Sequence, residues 1–135
     1  MSSAAGAICF WTVSYLFDSN ILIYSATPAL ALQPLLRTPN AAVSAISQVE
    51  VLGFRGLTMA AELYFVSAFA FLEVVAVTPA IIARAVYLGR SCRLRAADAI
   101  ITATAVERGS VLLTQDGHFQ RVPNLQVLNP LAPQI

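Results

Sequence analysis

Lysine does not occur in this chain, and all eight of its positive charges are arginines. Any grip on phosphate or carboxylate therefore falls to guanidinium groups, whose planar fork suits bidentate contacts. Histidine occurs once, at His118, and cysteine twice, at Cys9 and Cys92. Their spacing excludes a zinc centre of the Cys/His type, and the thiols read as buried or free groups in a reducing compartment. Charge of either sign is scarce, at 11% of residues and a net +1. There is thus no broad basic field of the kind that announces a nucleic-acid binder.

Scarce charge brings a high mean hydropathy of +0.72 and raises the question of a membrane. Residues 1–17 carry no charge, and residues 57–77 carry only Glu62 and Glu73. A spanning helix needs about 20 predominantly apolar residues in one run. The first stretch ends at Asp18 and lacks the positive start of a signal peptide. The second would place two carboxylates in the bilayer, at roughly 2.5–3.5 kcal/mol each near its centre. Both are expected to belong to a soluble, cytoplasmic protein that uses no membrane. The length of 135 residues suits one compact domain. The expected division is an N-terminal extension over 1–13, loosely ordered, a domain over 14–130, and a short tail over 131–135.

Apolar runs and helical patterns alternate along the chain. Short strands are expected at 14–17, 42–46, 74–77, 111–114 and 125–128. Helices are expected at 30–37, from a capping box Ser47-Gln48-Val49-Glu50 toward Gly56, over 57–73, from Pro79 to about Leu88, and over 95–108 with Gly109 as its stop. Strands with little polar alternation, separated by helices, imply a parallel α/β sheet covered on both faces. The helix over 57–73 is apolar around most of its circumference, which asks for burial of more than one face. A homodimer interface or a groove for a partner protein is the expected use of the excess.

Acidic residues number only seven, and four of them fall where such a sheet collects its ligands. Asp18 follows the first strand directly and Asp116 lies just beyond the fourth, while Glu50 and Asp98 stand on opening turns of helices. In open α/β sheets, ligands bind outside the carboxyl ends of the strands. Converging carboxylates repel one another unless a cation or shared proton relieves them. With no lysine or histidine pair beside them, the oxygen donors suit a hard cation such as Mg²⁺. Such ions activate water and stabilise the departing oxygen in phosphodiester hydrolysis.

The segments YLFDSNILIYSA, SAISQVEVLGF, LRAADAIITATAVERG and VLLTQDGHF, in that order, resemble the PIN domain. Within that superfamily they look most like VapC-type toxins of toxin–antitoxin pairs, over roughly residues 14–129. The resemblance implies a three-layer PIN fold, with a parallel sheet of four to five short strands and helices on both faces. It also implies an endoribonuclease dependent on Mg²⁺ or Mn²⁺, acting on RNA and held silent by a cognate antitoxin. The acidic tetrad of the family carries over to Asp18, Glu50, Asp98 and Asp116 as metal-holding catalytic residues. The family's hydroxyl carries over to Thr114, and Asn20 stands as a supporting amide beside Asp18.

Each residue also has a plainer reading. Glu50 can be a capping partner, Asp98 a first-turn acid, Asp116 a turn residue before Gly117, and His118 a surface loop residue. Arg84, Arg90, Arg93 and Arg95 crowd ahead of Asp98, either as a solvated helix end or, for Arg90, Arg93 and Arg95 above all, as an RNA-gripping rim. Two other functions remain open. One is a catalytically silent PIN-like module that binds RNA or protein. The other is a haloacid-dehalogenase-like phosphatase, which would want a second aspartate where Asn20 stands and a lysine that is missing.

Overall fold

The computed structural model describes residues 13–131. The extension expected over 1–13, apart from Val13, and the tail beyond Leu131 lie outside the described residues, as does Cys9.

Five short strands form one parallel sheet: β1 (Tyr15–Phe17), β2 (Ala41–Ser44), β3 (Glu73–Val75), β4 (Val111–Leu113) and β5 (Val127–Leu128). Their order across the sheet is β3-β2-β1-β4-β5, so β1 is central and the winding reverses beside it. The register places Leu16 beside Ala42 and Leu112, and Phe17 beside Val43 and Leu113. Successive side chains of a strand face opposite ways. The alternation therefore gives each face its own apolar row, and both rows are buried.

Among the described residues, six α-helices and two 3₁₀ segments fill the two outer layers. On one face lie α1 (Ser19–Ser25), α2 (Gln33–Leu36), α3 (Ala45–Leu52) and α4 (Met59–Phe71). Phe17, Val43 and Leu113 pack there with Ile21, Leu22, Val51, Phe65 and Phe69. On the other face α6 (Ala96–Arg108) brings Ile101 and Ala105 onto Leu16, Ala42 and Leu112, together with Phe119. Helix α5 (Pro79–Ser91) packs on α6 through Ile81, Ala85, Leu88, Ala99 and Ala103. Full burial of side chains such as Phe17 and Ile21 stabilises by roughly 1.5–3 kcal/mol each. The expected three-layer arrangement, with five strands and helices on both faces, is what the chain forms.

Several boundaries differ from the sequence reading for identifiable reasons. Helix α3 starts at Ala45, because Ser44 and not Ser47 is its N-cap, accepting from the Ile46 amide at 3.2 Å. Ser47 is fully buried inside the helix, so the capping box does not exist. The helix expected over 30–37 divides into a 3₁₀ turn at Pro28–Leu30 and the short α2, with Ala31 between them at a left-handed φ of 54°. Glu73 is a strand residue that pairs with Arg108 at 2.8 Å. Helix α5 runs through Gly89 to Ser91. Helix α1 has no counterpart in the sequence reading. Gly109 closes α6 as expected, with φ 63° and its amide donating to Ala105 and Val106.

Helix α4 buries Phe65, Ala68 and Phe69 and leaves Met59, Leu63, Val66 and Phe71 exposed. Among the described residues, no helix is long and apolar enough to cross a membrane.

Candidate active site

The carboxyl ends of β1 and β4 define the site. One step beyond the last paired residues, Phe17 and Leu113, stand Asp18 and Thr114. The Asp18 amide donates to the Leu113 carbonyl at 2.9 Å, so the ladder continues to the site itself. Asp18 is only 6% exposed, and both its oxygens are engaged. Oδ1 caps α1 by accepting from the Ser19 amide at 2.8 Å, and Oδ2 accepts from Thr114 Oγ1 at 2.7 Å.

Burial pushes the Asp18 carboxyl up to about 6. The two hydrogen bonds offset part of that rise, and the charges of Asp98 and Glu50 add to it. Asp98, on the first turn of α6 and half-buried, is also raised, first by desolvation and then by Glu50 and Asp116. Arg95 and His118 pull it back. Asp116 is lowered, chiefly because its carboxylate accepts from the His118 amide. The same Oδ1 lies 2.5 Å from His118 Nδ1. Asp18, Glu50 and Asp98 thus feel one another's charge, and Asp98 also feels Asp116: the four acids share one rim of the sheet.

Hydroxyls hold this rim in place. Thr114 Oγ1 donates to Asp18 and accepts from the Asp116 amide at 3.0 Å and from Asn20 Nδ2 at 3.4 Å. Asn20 Oδ1 in turn accepts from the Gln115 amide at 3.4 Å. On the opposite side, Ser19 Oγ lies 2.6 Å from Glu50 Oε1 and 2.8 Å from Ser47 Oγ. Ser19 and Ser47 are site-building residues that the sequence reading missed. The signal was present in the run DSNILIYS, where an aspartate N-cap precedes apolar Ile21 and Leu22 and opens α1. Thr102, one turn after Asp98 on the same face of α6, is fully buried, and its Oγ1 has no protein partner.

The arginines separate. Arg84 is bound to Glu107, and Arg90 lines an apolar groove between α5 and α6 with Ile82, Val86 and Ile100. Arg93 and Arg95 instead line a cleft of about 260 Å³ with Asp98, Asp116, His118 and Arg121. His118 is therefore exposed but on the cleft wall, and Arg121 joins it without having been singled out in the sequence.

Among the described residues, no three acidic, histidine or cysteine side chains are drawn to one point as a closed ligand cage. A small hard cation does not need one, since one or two carboxylates suffice with waters and substrate phosphates. The donor set is all oxygen except for His118, and the acids repel one another in the absence of a cation. Their chemistry fits such an ion.

A sheet of this order with acids at its switch point defines a class, and comparison with known proteins gives the same one. The model of the PIN domain matches residues 15–125. The chain belongs to the PIN domain family. It is similar to a chain of a toxin–antitoxin complex from Klebsiella pneumoniae, at 30% identity and a TM-score of 0.72, covering 87% of this chain and 98% of that one. VapBC2 from Rickettsia felis, bound to a promoter DNA fragment, has a chain with 18% identity and a TM-score of 0.72, covering 87% and 98%. DNA-bound VapBC from Salmonella typhimurium gives 20% identity and 0.69, covering 88% and 99%. The last two speak for the fold alone. No curated protein matches the chain. The resemblance read from the four sequence segments is borne out at the level of the family, and the phosphatase alternative gives way to it.

Proposed function

We propose that this chain is a divalent-metal-dependent endoribonuclease, the toxin of a toxin–antitoxin pair, acting in the cytoplasm. The observation that carries the reading is the meeting of Asp18, Glu50, Asp98 and Asp116 at one rim, with Asp18 buried and its carboxyl raised to about 6. Four acids in mutual repulsion are stable as anions only when a cation neutralises them. Mg²⁺ or Mn²⁺ bound there would neutralise the scissile phosphate and make a bound water acidic enough to attack it near neutral pH.

The chain's own groups have distinct work. Asp18 and Asp98 would hold the cation, and Glu50 and Asp116 would hold its waters or a second ion. Glu50 is tethered through Oε1 to Ser19, which leaves Oε2 to orient the attacking water and take its proton. The water oxygen forms the new bond to phosphorus, the bond to the departing sugar oxygen breaks, and that oxygen takes a proton from solvent. Thr114 and Asn20 fix Asp18 and the Asp116 segment and do not touch the phosphate.

The Klebsiella pneumoniae relative, a chain of a toxin–antitoxin complex, supports a cognate antitoxin as partner. The exposed apolar stripe Met59, Leu63 and Val66 of α4 favours a protein contact, either that antitoxin or a second copy in a homodimer. The test is cleavage of single-stranded RNA with Mg²⁺ or Mn²⁺ against EDTA. Metal-dependent cutting that Asp98→Asn abolishes is expected. Equal cutting in EDTA, or by that variant, overturns the metal-dependent reading, and no cutting under any condition leaves a silent PIN-like binding module.

A further inference from the structure

We infer that the cleft walled by Arg93, Arg95 and Arg121 is a phosphate subsite, which seats the phosphodiester next to the one held at the acids. The inference rests on the nuclease reading and adds to it the path of the RNA strand. Among the described residues the ion pairs are Arg84 with Glu107, Arg108 with Glu73 and His118 with Asp116. Arg93, Arg95 and Arg121 are in none of them, although Asp98 and Asp116 line the same cleft. Arg95 is the N-cap residue of α6, where a guanidinium, having no acceptor, leaves the first-turn amides uncapped by its side chain. Three arginines therefore line a cavity of about 260 Å³ without closing into a salt bridge, although Arg95 acts on Asp98 and Arg121 on Asp116 through space. That volume is below the roughly 300–1,000 Å³ of drug-sized ligand clefts, which favours a small anionic group such as a single phosphate.

The backbone explains how two of these arginines come to one wall. Arg93 holds φ at 56°, the left-handed region that residues other than Gly, Asn and Asp rarely occupy. It is the left-handed residue that follows the Cys92 C-cap and turns the chain out of α5. Here it belongs to the turn between α5 and α6 that brings Arg93 and Arg95 to one wall. Arg121 comes from the 3₁₀ turn after Asp116, on the far side of the acids from that turn in sequence. The cleft thus combines acids that attract cations with arginines that attract an anion. A polyphosphate strand neutralised by a cation at one of its phosphates meets both demands at once.

The test uses Arg93→Asn, which keeps a residue tolerant of left-handed φ, and Arg121→Gln, with Arg84→Ala as a control that removes an arginine outside the cleft. Binding of a fluorescent 12-nucleotide single-stranded RNA is measured without metal across a salt series, and cleavage is measured separately with Mg²⁺. Each cleft variant is expected to bind about fivefold more weakly and to lose about 0.7 from the slope of log affinity against log salt. In cleavage, KM is expected to rise more than kcat falls, while Arg84→Ala follows the parent chain. Unchanged affinity and slope in both cleft variants overturn the subsite, as does loss of a bound protein partner with RNA binding intact. Arginine-dependent RNA binding without any cleavage overturns the nuclease reading alone. A parent chain that binds no RNA overturns both.

Discussion

Thr114 and Asp18 face each other across neighbouring parallel strands, and a 2.7 Å hydrogen bond joins Thr114 Oγ1 to Asp18 Oδ2. The two residues are 96 positions apart in the chain, and the register of β1 against β4 brings them together. The threonine hydroxyl donates once and accepts twice, from the Asp116 amide and from Asn20. Its capacity is thus spent on holding the acids.

Thr114→Val is therefore expected to leave Asp18 Oδ2 and the Asp116 amide without their partner. A loss of about 1–3 kcal/mol in unfolding free energy follows from orphaning buried polar groups. Urea denaturation checks this. Thr114→Ser, which keeps the hydroxyl, should recover most of both stability and cleavage.

Asp18 sets a pH dependence whose sign is fixed by its raised carboxyl. The ordinary value is 3.8, and burial lifts it to about 6 in the folded protein. The folded chain therefore holds this proton more tightly than the unfolded chain does. Stability from this group is fully present below about pH 4 and is lost as pH rises to about 6, by about 3 kcal/mol at the usual 1.36 kcal/mol per unit. Metal-free melts at pH 4 and pH 7 should show this loss. Asp18→Asn, with no proton to release, should show a smaller one, and a variant with the parent's dependence would assign the effect elsewhere.

Added Mg²⁺ or Mn²⁺ is expected to raise the melting temperature above pH 6, where Asp18 is ionised. A ligand at a hundredfold excess over its dissociation constant stabilises by about 2.7 kcal/mol. The shift should shrink as pH falls below about 6 and be largely lost in Asp98→Asn. Calorimetric scans with metal and with EDTA decide the matter.

Thr102 offers the opposite kind of test. Its hydroxyl is fully buried without a protein partner. Replacing such a group by an apolar one of the same shape is nearly neutral or stabilising. Thr102→Val is expected to melt at or slightly above the parent temperature. A loss above about 1 kcal/mol would mean that the hydroxyl has a partner after all.

Much of the layer architecture was legible because it rests on short-range pattern. Runs such as Val111, Leu112 and Leu113 read as buried strands, and Gly109 and Thr78-Pro79 marked helix ends by backbone geometry alone. Asp18 and Asp116 were legible from their place after strands and Asp98 from its place on a first helical turn. Glu50, expected on an opening turn, lies instead in the last turn of α3. What escaped depended on partners distant in sequence. Ser47 looked like a cap until Ser44 took that role, and its real neighbour is Ser19. Helix α1 was hidden because Asp18 reads equally well as a strand end, an N-cap or a ligand. The rim arginines could be counted but not sorted, since only the fold shows that Arg84 meets Glu107 and that Arg121 reaches the cleft.

The strand order has a consequence for biosynthesis. Asp18 is made early, but its clamp on β4 and the Asp116 segment emerge almost a hundred residues later. A chain still emerging from the ribosome therefore has no assembled acidic rim, however well its first helices have formed. Whatever chemistry the finished site performs, it cannot begin until β4 slots in beside β1.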